Sequence, residues 1–173
     1  MIRQIPNLLS LSRLAATPFL VYLLLAGDRR SALILCLAAG LTDVLDGYLA
    51  RQLGSASQTG AYIDPIADKV MLSATFLALG ISGAIPVWLV VLVFGRDVLM
   101  LIAIGAFFAF TRIRSFPPTI WGKLSTFVQI GFVVCVLSRE STPALAWVPA
   151  IATAWSGLHY IYVGARMLRG RPH

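Results

Sequence analysis

The sequence predicts an all-α integral membrane protein with six transmembrane helices and a short interfacial N-terminal segment. Of its 173 residues, 58% are hydrophobic and only 12% are charged, and the mean hydropathy is +0.84. A soluble domain of this size does not need so large an apolar fraction for its core. Six apolar windows approach the length of about 20 residues that a membrane-spanning helix needs. Short polar turns connect them, so a single domain over residues 1–173 is expected.

The predicted spans follow one another along the chain and are separated by turns rich in Gly, Ser and Pro. The first ten residues, MIRQIPNLLS, are too polar for the apolar core of a signal peptide and predict an interfacial segment. The spans are expected at residues 11–27, 31–53, 60–83, 86–110, 119–138 and 143–167. The turns are GDRR at 27–30, GSASQ at 54–58, SGAIP at 82–86, RIRSFPP at 112–118 and RESTP at 139–143.

The distribution of arginines predicts which side of the membrane each loop occupies. With six spans both termini lie on one side, which would hold the loop and span-end residues Arg3, Arg51, Arg112, Arg114, Arg166, Arg169 and Arg171. The loops on the opposite side carry Arg29, Arg30 and Arg139. The positive-inside rule therefore predicts that both termini are cytoplasmic. Because no leader rich in Arg and Ser is evident, we expect the cytoplasmic membrane of a bacterium.

Anionic lipid headgroups are expected to suffice as partners for the formal net charge of +7. A nucleic-acid partner is not expected, because the basic residues are spread over several loops and are not gathered on one soluble face. Membrane lipids are therefore the partners that the charge distribution predicts.

The stretch DVLDGYLARQLGSASQTGAYIDPIADK, residues 43–69, is the polar exception in an apolar chain. On a helix Asp43 and Asp46 share one face, and Asp64 and Asp68 share a face of the next helix. The turn between the two helices is short, so we expect antiparallel neighbours. All four carboxylates are then predicted to converge on one site near the cytoplasmic ends of their spans.

Four carboxylates in a membrane need positive compensation. An ionised carboxylate near the bilayer centre costs about 2.5–3.5 kcal/mol on insertion scales, and neighbouring carboxylates repel one another. Arg51 and Lys69 supply only two positive charges. One or two divalent cations, Mg²⁺ or Mn²⁺, fit the remaining charge, because these ions prefer carboxylate oxygens. Bound metals favour chemistry on phosphates, and Arg51 has the small residues Gly47 and Ala50 beside it, which leave room for a phosphate.

Other interpretations of these residues stay open at this point. Asp64 before Pro65 is also the pattern of a helix N-terminus, with Asp as the N-cap. Gly47 is also explained as a small contact between packed helices. A cluster of intramembrane acids is also typical of a cation or proton transporter. Transport predicts ion flux in sealed vesicles, whereas an inactive scaffold predicts neither flux nor catalysis.

The aspartates occur in a pattern that resembles the complete signature of the CDP-alcohol phosphatidyltransferase family. We call this pattern the aspartate signature: Asp43, two residues, Asp46 and Gly47, two residues, Ala50 and Arg51, eight residues, Gly60, three residues, Asp64, three residues and Asp68. Every fixed position of the family pattern is matched. The segments at 5–18, 95–102 and 122–129 resemble the branch of the family that makes phosphatidylglycerol phosphate or cardiolipin.

The resemblance implies a six-helix membrane enzyme, often a homodimer, with a two-metal site open to the cytoplasmic side. The implied metal ligands are Asp43, Asp46, Asp64 and Asp68. The residues implied to surround the CDP moiety are Gly47, Ala50, Arg51 and Gly60. Asp68 is also the implied general base, which takes the proton of the acceptor hydroxyl. The acceptor oxygen then attacks the phosphorus of CDP-diacylglycerol that carries diacylglycerol, and CMP leaves.

The signature does not identify the acceptor alcohol. Cations near the cytoplasmic end are expected to bind a phosphorylated acceptor, and the candidates are Arg96, Arg112, Arg114 and Lys123. Arg96 beside Asp97 is equally explained as a buried structural pair. Lys123, Thr126 and Gln129 form a polar stripe on one helix face. Such a stripe is typical either of a binding site for the acceptor or of a contact between helices.

Two acceptors are compatible with the resemblance. The Asp that follows Arg96 is more similar to the members that make cardiolipin, because phosphatidylglycerol phosphate synthases usually have Glu there. Phosphatidylglycerol is therefore the favoured acceptor, and glycerol-3-phosphate is the alternative.

Overall fold

The computed structural model describes the backbone of residues 5–52, 60–110, 120–138 and 143–169, and the side chains of residues 12–42, 69–102, 120–138 and 143–163. Within these ranges the chain is all-α and contains no strand, as predicted. Its long helices are α1 (Ile5–Leu25), α2 (Arg29–Gln52), α3 (Gly60–Ile81), α4 (Val87–Phe110), α5 (Ile120–Leu137) and α6 (Trp147–Arg169). A short 3₁₀ turn, Pro143–Ala146, precedes α6.

The first helix begins earlier than predicted. It starts at Ile5 and continues to Leu25, so residues 5–10 are helical and continuous with the rest of α1. Their position at the membrane interface stays a prediction. Pro6 is tolerated there because it lies in the first helical turn, where its missing N–H would have no intrahelical partner. The predicted span at 11–27 therefore begins six residues after the start of α1, and its position in the membrane stays a prediction.

The all-helical class is confirmed for the described residues, whereas the six membrane spans are not. Among the residues whose side chains are described, one helix is both long and apolar enough to cross a membrane, Ile120–Leu137, with a mean hydropathy of 1.7. Shorter apolar helical stretches cover Ser12–Leu25 and Lys69–Ile81. The number of spans stays a prediction.

The internal contacts divide the chain into two compact units. The first comprises Met1–Ala84 and Val133–Glu140, and the second comprises Ile85–Phe132 and Ser141–His173. In the first unit α1 packs against both α2 and α3, and in the second unit α4 packs against α6. The single domain expected over residues 1–173 stays a prediction.

Two glycines end the first and third helices. Gly27 has φ 79° and Gly83 has φ 71°, a left-handed conformation that glycine adopts without the clash of a Cβ atom. After α1 the N–H of Asp28 donates a 3.0 Å hydrogen bond to the carbonyl of Leu23, and the Asp28 carboxylate accepts one of 3.1 Å from the N–H of Ser31. Asp28 therefore helps to end α1 and caps the start of α2. The turn predicted at 82–86 is confirmed, whereas the turn predicted at 27–30 is confirmed only for its first two residues, because α2 begins at Arg29.

Candidate functional site

The aspartate signature is divided between two consecutive helices. Its helical residues are Asp43, Asp46, Gly47, Ala50 and Arg51 on α2 and Gly60, Asp64 and Asp68 on α3. Residues 53–59, and all the side chains of the signature, lie outside the described part of the chain. The helical setting of the four aspartates is confirmed, and their convergence on one site stays a prediction.

The start of α3 decides between two interpretations of Asp64. The helix begins at Gly60, a full turn before Asp64. An N-cap residue precedes the helical residues, so Asp64 cannot cap α3. The N-cap interpretation is therefore wrong, and the role of Asp64 as a metal ligand stays a prediction.

The donor set of the aspartate signature fits a hard divalent cation. Asp43 and Asp46 are three residues apart on α2, and Asp64 and Asp68 are four apart on α3, so each pair shares a helix face. Carboxylate oxygens suit Mg²⁺ or Mn²⁺ better than they suit softer metals. Within 12–42, 69–102, 120–138 and 143–163, no group of three or more His, Cys, Asp or Glu could hold a metal ion.

Arg13 of α1 is a buried cation that the sequence interpretation did not single out. It is 4% exposed, and its carbonyl accepts a 2.9 Å hydrogen bond from the hydroxyl of Thr17, which is also buried. A buried arginine is costly unless polar groups surround it. α1 packs against both α2 and α3, so the helix that carries Arg13 also contacts the two helices that carry the aspartate signature. Its signal in the sequence is that it is the one charged residue of α1.

Arg96 lies in the interior of the second unit. Its Nη1 donates a 2.9 Å hydrogen bond to Oδ1 of Asp97, and its Nη2 donates a 2.7 Å hydrogen bond to Oγ of Ser156 on α6. The guanidinium carbon is 5.7 Å from the ring centroid of Tyr160, within reach of a cation–π interaction. Arg96 and Asp97 are each 8% exposed. The interpretation as a buried pair is confirmed, and a role for Arg96 in acceptor binding stays a prediction.

The polar stripe predicted on α5 does not form one continuous surface. Lys123 is exposed, whereas Gln129 is buried and its Nε2 donates a 2.9 Å hydrogen bond to Oγ1 of Thr153 on α6. The hydroxyl of Thr126 bonds to the backbone of its own helix. Gln129 is therefore a contact between helices, while Lys123 remains accessible to an anion. The other two acceptor candidates, Arg112 and Arg114, lie outside the described residues.

Comparisons with known proteins agree with the aspartate signature. The family model for CDP-alcohol phosphatidyltransferase matches residues 3–155. The chain is 31% identical to a cardiolipin synthase (CMP-forming) of Rattus norvegicus over 96% of the chain and 64% of that protein. It is 37% identical to a CDP-diacylglycerol--glycerol-3-phosphate 3-phosphatidyltransferase of Aquifex aeolicus over 95% of the chain and 98% of that protein.

A third relative has the same name as the rat protein. A cardiolipin synthase (CMP-forming) of Streptomyces coelicolor is 29% identical over 95% of the chain and 84% of its own length. The chain spans less than two thirds of the length of the rat protein, at 64%. The names of these relatives thus divide between cardiolipin synthase and glycerol-3-phosphate 3-phosphatidyltransferase.

Proposed function

The chain belongs to the CDP-alcohol phosphatidyltransferase family, and from this premise we propose that it transfers the phosphatidyl group of CDP-diacylglycerol to a glycerol-type acceptor and releases CMP. The observation that carries the proposal is the intact aspartate signature on two consecutive helices, inside the matched residues 3–155. The favoured acceptor is phosphatidylglycerol, so the favoured product is cardiolipin.

The proposed enzyme lies in the cytoplasmic membrane with six spans, and both termini and the active site face the cytoplasm. The exposure pattern of α5 supports a lipid environment, because Ile120 and Phe127 are 81% and 75% exposed while Ser125 and Gln129 are buried. A helix that is apolar outside and polar inside reverses the pattern of a helix on a soluble protein. α5 has the fewest residues of the six long helices, 18, and is about 27 Å long, which is close to the roughly 30 Å thickness of a bilayer core.

The proposed metal ligands are Asp43, Asp46, Asp64 and Asp68, and the proposed cofactors are two Mg²⁺ or Mn²⁺ ions. When bound, these ions would neutralise phosphoryl oxygens and stabilise the negative charge of the departing CMP. The all-carboxylate donor set supports this assignment.

The remaining chemistry is assigned to side chains of the signature. Asp68 accepts the proton of the acceptor hydroxyl. The acceptor oxygen forms a bond to the phosphorus that carries diacylglycerol, while the bond from that phosphorus to the CMP oxygen breaks. Arg51 binds a phosphate of the CDP moiety. The small residues Gly47, Ala50 and Gly60 leave room for the nucleotide beside the helix backbone.

The cations proposed to bind a phosphate of the acceptor are Arg96, Arg112, Arg114 and Lys123. The exposure of Lys123 supports its assignment, because its ammonium group is accessible to an anion. Arg96 is buried and contacts α6, so its contribution depends on how that contact directs the guanidinium group.

Glycerol-3-phosphate is the alternative acceptor. It is favoured by the Aquifex aeolicus relative, whose name specifies that acceptor and which the chain matches over 98% of its length. The Rattus norvegicus and Streptomyces coelicolor relatives favour cardiolipin synthesis by name.

An acceptor panel tests both the activity and the acceptor. Purified protein in detergent is supplied with CDP-diacylglycerol, Mg²⁺ or Mn²⁺, and either phosphatidylglycerol or glycerol-3-phosphate. CMP release is followed together with the mass of the lipid product, and a chelator provides the metal-free control. CMP formed only with phosphatidylglycerol supports cardiolipin synthesis. CMP formed only with glycerol-3-phosphate supports the alternative, and folded protein that releases no CMP with either acceptor contradicts the proposal.

A second copy of the chain is the proposed protein partner, as the family resemblance implies. Light scattering of the detergent-solubilised protein measures the protein mass of the particle. A mass of one chain across the working concentration range would contradict the homodimer.

A further inference from the structure

One face of α6 carries two fully buried hydroxyl groups. Thr153 and Ser156 are both 0% exposed and are three residues apart, so they lie on the same side of the helix. The opposite side is apolar and open, with Trp155 56% exposed and Leu158 64% exposed. The hydroxyl face is therefore turned toward the interior of the second unit.

The two hydroxyls contact different partners. Ser156 Oγ accepts a 2.7 Å hydrogen bond from Nη2 of Arg96 on α4, whereas Thr153 Oγ1 accepts a 2.9 Å hydrogen bond from Nε2 of Gln129 on α5. Each bond joins α6 to another helix through buried groups. Only the bond of Ser156 involves a charged partner, and hydrogen bonds to charged groups are the stronger ones.

The guanidinium group of Arg96 is held in a defined direction. Asp97 accepts a bond from Nη1 while Ser156 accepts one from Nη2, so two contacts restrict rotation of the planar group. The stem of Arg96 crosses α6 at Gly157, where a Cβ atom would lie 3.6 Å from Cγ of Arg96. Gly157 therefore leaves room for the stem of Arg96, and Ser156 binds its guanidinium group.

One donor of this buried group is not used by the described residues. Nε of Arg96 is buried and has no hydrogen-bond partner within the described ranges of the chain. A buried donor without a partner is costly, so a ligand that supplies an acceptor oxygen would remove that cost. The phosphate oxygens of a glycerol-type acceptor have this chemistry.

We propose that Ser156 is a positioning residue, which directs the guanidinium group of Arg96 toward the anionic phosphate of the acceptor. The inference rests on the proposed function, because it assigns Ser156 to the acceptor side of that reaction. Ser156 acts through Arg96 and does not itself contact the reacting atoms. Its removal frees the guanidinium group to rotate, so binding of the acceptor weakens while binding of CDP-diacylglycerol does not.

The experiment compares two α6 variants that differ in the partner that is lost. Ser156→Ala removes the hydroxyl that holds Arg96, and Thr153→Val removes an equally buried hydroxyl that holds Gln129. For each variant kcat and KM are measured for the preferred acceptor and for CDP-diacylglycerol, and the melting temperature is measured in detergent. Ser156→Thr retains the hydroxyl and serves as the rescue variant.

We expect Ser156→Ala to raise the acceptor KM by about tenfold, the scale of one hydrogen bond to a charged group, with the KM for CDP-diacylglycerol unchanged. Thr153→Val should leave both KM values unchanged, even where its melting temperature falls. Ser156→Thr should restore most of the acceptor affinity. If Ser156→Ala and Thr153→Val change the two KM values alike, Ser156 is a structural contact and the inference is overturned.

The outcome is separable from a failure of the proposed function. If the unaltered protein releases no CMP with any acceptor, the proposed function fails before Ser156 is tested. If the unaltered protein is active and Ser156→Ala has an unchanged acceptor KM, only the positioning role fails.

Discussion

Trp88 and Trp147 pack with their ring centroids 5.0 Å apart and their ring planes inclined by 36°. The contact joins the first turn of α4 to the first residue of α6, so these two helices begin at the same level of the second unit. Tryptophan is enriched at the boundary between lipid and water, because its ring is apolar and its N–H is polar. We therefore expect this pair to lie at a membrane boundary.

The depth of the tryptophans on α6 tests this expectation. Trp155 follows Trp147 by eight residues, which corresponds to about 12 Å along the helix axis. A variant that retains only Trp147 should be quenched most by lipids brominated near the headgroup. A variant that retains only Trp155 should be quenched most by lipids brominated deep in the acyl chain. Equal quenching of both variants at every depth would argue against a membrane-spanning α6.

Loss of the proposed general base should abolish most of the activity. Asp68→Asn removes the carboxylate that takes the proton of the acceptor hydroxyl, so CMP release should fall by about 10²- to 10⁴-fold. The matched control is Asp28→Asn, which neutralises an exposed aspartate in the turn between α1 and α2 and should retain activity. An Asp68→Asn protein as active as its parent would remove Asp68 from the mechanism.

The cap of α2 predicts a pH-dependent contribution to stability. Hydrogen bonds from the side chain and then the backbone of Ser31 lower the pKa of Asp28 below its ordinary value of 3.8. The ionised carboxylate therefore stabilises the folded protein above the unfolded pKa, and this stabilisation is lost as the pH falls through the lower folded pKa.

Asp28→Ala should accordingly melt at a lower temperature than the parent at neutral pH. The difference between the two proteins should shrink as the pH falls below the ordinary value of 3.8 and through the lower folded pKa, where the carboxylate of the folded parent becomes protonated. Asp28→Asn keeps a side-chain oxygen for the cap but carries no charge, so its melting temperature at neutral pH should lie between those of Asp28→Ala and the parent. A difference between Asp28→Ala and the parent that stays constant down to strongly acidic pH would contradict the role of the charge.

A Cβ atom at Gly27, in the turn after α1, should lower the stability of the protein because of the left-handed backbone conformation there. Apart from its two chain neighbours, no described residue has an atom within 4 Å of a Cβ built at Gly27, but φ there is +79°. Gly27→Ala should therefore destabilise the protein by about 1–2 kcal/mol. Gly40→Ala is the control, because Gly40 also has open space but lies in the interior of α2, where Ala is favoured by about 0.5–1 kcal/mol. Chemical denaturation in detergent should show opposite signs for the two variants.

Most helix positions could be predicted because their determinants are local. The predicted spans at 60–83 and 86–110 correspond to Gly60–Ile81 and Val87–Phe110, where a long apolar run is followed or preceded by turn residues. The start of α1 was missed, because a proline in a polar segment reads as an interruption although the first helical turn accepts it. A pattern of apolar residues identifies a helix more reliably than it locates its end.

The sequence by itself determined the aspartate signature and its division between two helices, because spacing along one chain decides which carboxylates share a helix face. The tertiary structure alone decided the partners of the buried polar groups. Arg96 bonds to Ser156 sixty residues away, and Gln129 bonds to Thr153 on the same face of α6. These pairs depend on which helix faces meet. Helix packing sets that choice, and an apolar sequence with few polar residues leaves many such packings available.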